Sequence, residues 1–221
     1  MCFSATASFI ASGALAASGA AIACTPKPGR ALPLSLFPVF FAVLQFAEGL
    51  LWLNHRGFLS DTFKPVGLYI FLFIAYVLWP IYVPFSACVL ESGRKRRIII
   101  LVCQILGLAV GITNLVVIIN GPVDASVVGH HFAYAINMPE ILNAPYVISV
   151  AVPFLVSSSR RLVIFGAALA VLYAIAAVVA SSATFPSVWC FYAAILSVFL
   201  FFIFRTRAKQ VWKPAVPDAT G

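Results

Sequence analysis

The stretch RKRRIIILVCQILGLAVGITNLVVIIN, residues 94–120, decides the fold class. Its first four residues are basic, and residues 98–120 contain no charged side chain. Because a helix rises about 1.5 Å per residue, residues 98–120 are long enough to cross the ~30 Å of hydrocarbon in a bilayer. This stretch therefore predicts a transmembrane helix with one strongly basic end.

Further apolar segments of similar length recur along the chain, and together with residues 98–120 they predict about seven helices. They lie at residues 4–24, 31–53, 66–90, 138–157, 162–181 and 185–204. Hydrophobic residues make up 63% of the chain and charged residues 9%, which leaves too little polar surface to cover a soluble core. We expect an all-α integral membrane bundle over residues 1–204, followed by a short basic cytoplasmic tail at residues 205–221.

The basic residues predict how this bundle lies in the membrane. Under the seven-helix map, only Arg56 and Lys64 lie on the outer side. The other twelve are Lys27, Arg30, Arg94, Lys95, Arg96, Arg97, Arg160, Arg161, Arg205, Arg207, Lys209 and Lys213. Basic residues collect on the cytoplasmic side, so we expect a multi-pass protein of the inner (plasma) membrane with its N-terminus outside and its C-terminus inside. The same pattern favours the lipid bilayer, and excludes nucleic acid, as the partner of the basic residues.

A stripe of polar and aromatic residues lies near the outer end of the second helix. The stripe consists of Gln45, Glu48, Trp52 and His55. Spacings of 3, 4 and 3 residues place all four on one helix face. Glu48 lies about 9 Å inside the outer end, where an ionised carboxylate costs ~3 kcal/mol unless it is paired or solvated. The stripe is therefore expected to face the bundle or a water-filled cavity.

Other polar residues are expected at the same outer level. They are Asn114 in helix four, Glu140 and Asn143 in helix five, Trp189 and Cys190 in helix seven, and Asp124 and Tyr134 in an exterior loop at residues 121–137. Such a gathering predicts a polar pocket around Glu48 that binds or transports a small ligand, a metal ion or a proton. Its predicted ligand-binding residues are Gln45, Glu48, Trp52, Asn114 and Glu140.

A metal-dependent membrane hydrolase acting on a lipid-like substrate is the alternative function. Its candidate metal ligands are His55, His130, His131 and Cys2. Together with Glu48, the histidines could hold a divalent metal ion that activates a water molecule. Cys2 would offer an amine and a thiol to a soft metal if Met1 were removed. The sequence leaves open whether Cys2 pairs with Cys190, the other cysteine expected on the outer side.

Two of the candidate carboxylates also have structural interpretations. Glu48 can be a protonated acid that holds helices together through a hydrogen bond to Gln45 or Asn114. Asn137 fits the N-cap of helix five, with Glu140 as the third residue of a capping box. The sequence leaves both interpretations of each residue open.

Prolines interrupt three of the predicted helices. They are Pro38, Pro80, Pro84, Pro145 and Pro153. Each removes a backbone donor and favours a kink, which a bundle tolerates when neighbouring groups satisfy the freed carbonyl. Kinks of this kind can open a cavity.

Small residues recur at every fourth position of the first helix. The series is Ser4, Ser8, Ser12, Ala16, Ala20 and Cys24. Such a stripe lets a neighbouring backbone approach closely. It supports a third hypothesis, a sensor or assembly protein that forms a homo-oligomer through helix one.

Two strings resemble a known family. The chain opens with MCFSATASF, and FAVLQFAEGLLW at residues 41–52 has the form FxxxQxxEGLxW. Both strings resemble those of a family of uncharacterised small bacterial membrane proteins with about seven helices. The resemblance implies no activity, and it points to the residues Cys2, Ser4, Gln45, Glu48 and Trp52.

Overall fold

The computed structural model describes residues 4–24, 29–181 and 183–206, with the backbone alone for residues 201–206. Within these ranges the chain is mostly helical. The helices are α1 (Ala5–Ala23), α2 (Gly29–His55), α3 (Asp61–Leu90), α4 (Arg94–Asn120), α5 (Glu140–Leu155), α6 (Arg160–Val179) and α7 (Phe185–Thr206). The predicted bundle of about seven helices is confirmed.

Five of these helices, α1 to α4 and α6, are long and apolar enough to cross a membrane. Two further apolar stretches, Glu140–Leu155 and Phe185–Leu200, are shorter. At 1.5 Å per residue Glu140–Leu155 rises about 24 Å, less than the ~30 Å of a hydrocarbon core. The apolar helices are those expected of a membrane protein.

The second helix is the most enclosed of the five long helices. In α2, 67% of the most apolar window is buried inside the bundle, against 28% in α1 and in α6. Much of the apolar surface of α1 and α6 is therefore exposed on the outside of the bundle, whereas α2 packs against protein on most sides. The predicted stripe of α2 lies in this central helix.

The first two helices run antiparallel in close contact. Ser12 Oγ donates a 2.8 Å hydrogen bond to the carbonyl oxygen of Ala42. Further along, a Cβ added at Gly19 would lie 2.7 Å from Val39 Cγ2. Small side chains on α1 thus serve the packing of α1 on α2, as small residues do between membrane helices.

The predicted small-residue stripe changes its environment along α1. Ser8 is fully buried and Ser12 is half-buried, whereas Ala16, Ala20 and Cys24 are exposed. Steps of four residues overshoot the 3.6-residue turn of a helix, so the stripe winds from the packed face to the outer face. The prediction that helix one mediates oligomerisation therefore concerns its exposed half.

A β-hairpin follows α4, where an exterior loop was predicted. Strands β1 (Asp124–Val128) and β2 (His131–Ala135) pair antiparallel, with Val128 opposite His131. Gly129, in the two-residue turn, has a φ of +61°, which favours glycine. The hairpin lies at the end of the bundle where α4 ends and α5 begins, called here the hairpin end. The opposite end, which carries Arg94–Arg97, is called the basic end.

Glu91 ties two loops together at the basic end. Its side chain is 4% exposed. One carboxylate oxygen accepts a 2.8 Å hydrogen bond from the backbone N–H of Gly93, and the other accepts a 2.7 Å bond from that of Ser158. Glu91 therefore links the α3–α4 loop to the α5–α6 loop. Nothing in the sequence distinguishes this residue, because it lies next to basic residues between two predicted helices.

Candidate functional site

A cavity of about 810 Å³ opens at the hairpin end, between helices α3 to α7 and the hairpin. Its aromatic lining residues are Tyr76, Tyr134, Tyr146, Tyr173, Phe185 and Trp189. Its polar and acidic lining residues are Asn114, Asp124, Asn137, Glu140, Asn143 and Cys190. This space, called here the hairpin-end cavity, combines an aromatic wall with polar groups, as small-molecule sites commonly do.

A π-helical turn in α3 shapes one wall of the cavity. The turn spans Phe73–Leu78 and ends just before Pro80. The N–H of Trp79 bonds five residues back, so it does not serve Ala75, its partner in a regular α-helix. Pro80 has no N–H for Tyr76, its own α-helical partner. Two neighbouring carbonyls thus lose their regular donors.

Both carbonyls accept hydrogen bonds from other helices. The hydroxyl of Tyr146 in α5 donates to the carbonyl oxygen of Ala75 at 2.6 Å. The Nδ2 group of Asn114 in α4 donates to the carbonyl oxygen of Tyr76 at 2.9 Å. Side chains of neighbouring helices therefore compensate for the missing backbone donors of α3, as they can in a membrane bundle. The same contacts bring Tyr76, Asn114 and Tyr146 to the cavity wall.

Glycines allow α4 to approach α3 closely below Asn114. A Cβ added at Gly107 would lie 1.8 Å from the carbonyl oxygen of Pro80, and one at Gly111 would lie 2.7 Å from Ile81 Cδ1. Gly107, Gly111 and Asn114 follow one another at helical spacing, so they share one face of α4. This close packing fixes the amide of Asn114 against α3.

Asn114 keeps one hydrogen-bonding group without a partner. Its side chain is 3% exposed, and its Oδ1 atom has no hydrogen bond within the described residues. A buried amide oxygen without a partner costs about 1–3 kcal/mol. A ligand in the cavity that carries an N–H or O–H group would remove this cost.

Aromatic rings of α6 and α7 form the opposite wall. The ring of Tyr173 packs edge-on against Trp189, with centroids 5.2 Å apart, and against Phe185 at 5.0 Å. Edge-to-face pairs of this kind stabilise one arrangement of the rings. Packing between the rings therefore holds this wall in one arrangement.

The charged residues of the lining are both acidic. Asp124 forms a 2.5 Å ion pair with Lys64, and this hydrogen bond lowers the pKa of Asp124. Glu140 is exposed at the other side of the opening. No Lys, Arg or His is among the described residues that line the cavity. The lining thus favours a neutral or cationic occupant.

Glu48 lies in the core beside the cavity and not on its wall. Its side chain is fully buried, and its Oε1 atom accepts a short hydrogen bond from the hydroxyl of Ser187, which is also fully buried. Ser187 belongs to the first turn of α7, three residues before Cys190 on the cavity wall. Gln45 is fully buried on the same face of α2. Gln45 and Glu48 thus contribute a polar cluster next to the cavity.

Trp52 connects α2 to the hairpin. It is 4% exposed, and its ring lies 4.8 Å from that of Phe132 and 6.0 Å from that of His55, measured between centroids. Phe132 in turn lies 6.3 Å from Tyr134, which lines the cavity. Trp52 therefore packs against Phe132 of the hairpin and is not part of the described cavity lining.

The predicted metal ligands lie at the rim of the hairpin end. His55 and His130 are exposed, and His131 is half-buried. Burial lowers the pKa of His131, and the neighbouring His130 adds to this effect. Among the residues that the structure describes, no three His, Cys, Asp or Glu side chains are arranged to hold a metal ion. Cys2 lies outside the described residues, and Cys190 is a free thiol.

The predicted capping box at the start of α5 is wrong. The helix opens with a 3-10 turn, Glu140–Leu142, whose N-cap residue is Pro139 and which has no side-chain capping bond. Pro139 has an extended backbone, so the turn begins at Glu140 and Asn137 is not its N-cap. Glu140 therefore makes no capping bond, and it lies among the residues that line the cavity.

Sequence reasoning missed part of the site. Ser187 carried no signal, because a lone serine in an apolar helix has many roles. Tyr76, Tyr146 and Tyr173 were not singled out, although each places a hydroxyl within a predicted transmembrane helix. Apolar helices of a membrane bundle have no polar face, so the sequence does not show which aromatic residues turn inward. A tyrosine within such a helix is the signal that could have found them.

The comparisons with known proteins give a family but no activity. The chain matches, over residues 1–215, a family described as a family of unknown function, DUF6629. This confirms the predicted resemblance to an uncharacterised family. No curated protein and no solved structure matches the chain. The geometry of the chain is therefore the only indication of its function.

Proposed function

We propose a ligand-binding function for this chain, which belongs to DUF6629, a family of unknown function. The hairpin-end cavity takes up one small organic molecule, which packs on the aromatic wall and donates a hydrogen bond to Asn114 Oδ1. One observation carries the proposal: Asn114 is among the residues that line a cavity large enough for a ligand, and its buried amide oxygen has no partner within the described residues.

The size and lining of the cavity support this function. A volume of about 810 Å³ falls within the roughly 300–1,000 Å³ typical of small-molecule sites. Aromatic side chains supply the apolar contact area, and Asn114 supplies orientation. A ligand with an apolar body and one hydrogen-bond donor satisfies both.

The distribution of charge supports a site that opens to the outside. Arg94–Arg97 and Arg160 lie at the basic end, which is expected to face the cytoplasm of an inner (plasma) membrane. The cavity lies at the opposite end. Its ligand is therefore proposed to enter from the extracytoplasmic side.

Transport is a second candidate, favoured by one observation. Glu48 is a fully buried carboxyl group in the most enclosed helix, and intramembrane acids commonly mark proton or substrate pathways. Ser187 and Cys190 lie between Glu48 and the cavity on the first turns of α7. A change in the protonation of Glu48 is thus expected to alter the position of α7 residues at the ligand site.

The binding function can be tested with 4-bromobenzyl alcohol, a small aromatic hydroxyl compound whose bromine quenches tryptophan fluorescence. Trp52, Trp79 and Trp212 are replaced by phenylalanine, so that Trp189 on the cavity wall is the reporter. In lipid nanodiscs we expect saturable quenching of Trp189. A second protein that keeps only Trp79, which is buried and does not belong to the described lining of the cavity, measures quenching that does not arise from the cavity.

A matched pair of variants locates the binding. Ala177 and Ala174 are both exposed on α6, but only Ala177 lines the cavity. Ala177→Phe is expected to abolish the saturable quenching, and Ala174→Phe is expected to preserve it. Equal quenching in both variants, or quenching that rises linearly in all proteins, would contradict a ligand site in this cavity.

A further inference from the structure

We propose that the ligand of the hairpin-end cavity is an organic ammonium ion, a protonated primary or secondary amine attached to an apolar body. This inference rests on the proposed binding function and adds the chemical class of the ligand. Its basis is the agreement of three independent features of the cavity: its charge, its aromatic faces and its hydrogen-bonding groups.

The charged residues of the described lining are acidic, whereas the chain as a whole is basic. The chain has 14 Lys and Arg against 6 Asp and Glu, yet both charged residues of the described lining are acidic. Lys64 balances Asp124 through its ion pair. Glu140 has no ion pair within the described residues, so one negative charge of the described lining stays uncompensated. An anionic ligand is therefore disfavoured, and a cation is attracted.

The aromatic wall favours a cation over a neutral ligand. The faces of Tyr and Trp rings attract cations within about 6 Å, most strongly where water is excluded. Tyr76 and Tyr146 stand beside Asn114, because all three take part in the contacts around the π-helical turn of α3. Trp189 lines the same space from α7.

The hydrogen-bonding groups select the kind of cation. Asn114 Oδ1 is an acceptor, and the Nδ2 group of the same side chain is already bonded to Tyr76. The hydroxyl of Tyr146 is likewise used as a donor to Ala75. Among the described residues, no group donates a hydrogen bond to Asn114 Oδ1. A quaternary ammonium ion has no N–H group to donate, whereas a primary ammonium ion has three and a secondary one has two.

Three probes of similar size and different charge test this inference. They are 4-bromobenzylamine, 4-bromobenzyl alcohol and 4-bromobenzoate, which are cationic, neutral and anionic at pH 7. Each probe is titrated against the variant that keeps Trp189 as its only tryptophan. The protein is held in nanodiscs of neutral lipid. We expect the amine to bind about tenfold more tightly than the alcohol, and the benzoate to show no saturable quenching.

Glu140 provides a variant that does not threaten the fold, because its side chain is exposed. Glu140→Gln is expected to weaken binding of the amine about threefold at low salt, with no change for the alcohol. Asp61→Asn is the matched control, since Asp61 is an exposed acid at the same end that does not line the cavity.

The outcomes separate the two proposals. Equal affinity for the three probes, or tighter binding of the benzoate, overturns the ammonium class and leaves the binding function standing. Loss of amine binding in Asp61→Asn as large as in Glu140→Gln also overturns it, since the effect would then be one of overall charge. Absence of saturable quenching by any probe overturns the binding function itself.

Discussion

The Nδ2 group of Asn114 donates a 2.9 Å hydrogen bond to the carbonyl oxygen of Tyr76, the carbonyl whose α-helical donor would be residue 80. That residue is proline, so the side chain of one helix replaces a backbone bond that another helix lacks. The replacement holds α4 against α3, and it leaves the Oδ1 atom of the same amide without a partner within the described residues. Packing and ligand recognition thus depend on the same side chain.

Replacement of Asn114 by leucine is expected to lower the free energy of unfolding by about 1–3 kcal/mol, because a buried carbonyl loses its donor. The measurement is reversible unfolding in mixed micelles. Pro80→Ala supplies the missing N–H, so the same Asn114→Leu change should cost at least ~1 kcal/mol less in that background. Equal losses in the two backgrounds would show that the amide does not compensate for Pro80.

A methyl group at Gly107 is expected to force α4 away from α3. Because the added Cβ would lie 1.8 Å from the carbonyl oxygen of Pro80, the backbone must shift. We expect Gly107→Ala to lower the free energy of unfolding by about 1–3 kcal/mol. Gly13→Ala is the control, since nothing lies within 4 Å of its Cβ. The control should be neutral or slightly stabilising, as alanine favours a helix.

Ser187 and Ser197 are both fully buried in α7, but they bond differently. Ser187 donates to Glu48 of α2, whereas Ser197 donates to the carbonyl of Ala194 in its own helix. Ser187→Ala is therefore expected to cost about 1–2 kcal/mol more than Ser197→Ala in the same unfolding measurement. Equal costs would indicate that the bond to Glu48 adds nothing to stability.

The ion pair between Asp124 and Lys64 predicts a pH dependence. The hydrogen bond from Lys64 lowers the pKa of Asp124 in the folded state, so the pair stabilises the fold at pH values above the ordinary pKa of an aspartate. This stabilisation is lost as the pH falls through the lowered pKa. Both side chains are partly exposed, so we expect less than about 1 kcal/mol.

Unfolding of the wild type and of Asp124→Asn at pH 7 and at pH 3 measures this effect. The difference between the two proteins should be present at pH 7 and smaller at pH 3. It should also shrink in high salt, which screens exposed charges. A difference that is the same at both pH values would assign the effect of the substitution to packing and not to charge.

The helices were predictable, because length and hydropathy alone determine which segments suit a membrane. The segment predicted at residues 98–120 lies within Arg94–Asn120, and that at 4–24 corresponds to Ala5–Ala23. The hairpin was not predictable in the same way. Its strands are five residues each, and the only local signal was Gly129 between them.

The candidate site was predictable in part. Asn114 and Glu140 line the cavity, since a polar residue near the end of an apolar helix turns away from lipid. Glu48 was expected to form the pocket, but it is bonded to Ser187 inside the core. Which buried partner a carboxylate finds is set by how the helices pack, and one sequence does not contain that information.

The carboxylate of Glu91 has a consequence for movement. It bonds to the backbone of both Gly93 and Ser158, so one side chain links α3, α4, α5 and α6 at the basic end. The basic ends of these helices are therefore held together. A movement that admits a molecule is expected at the hairpin end, where it would also have to keep or break the bonds that Asn114 and Tyr146 make to α3.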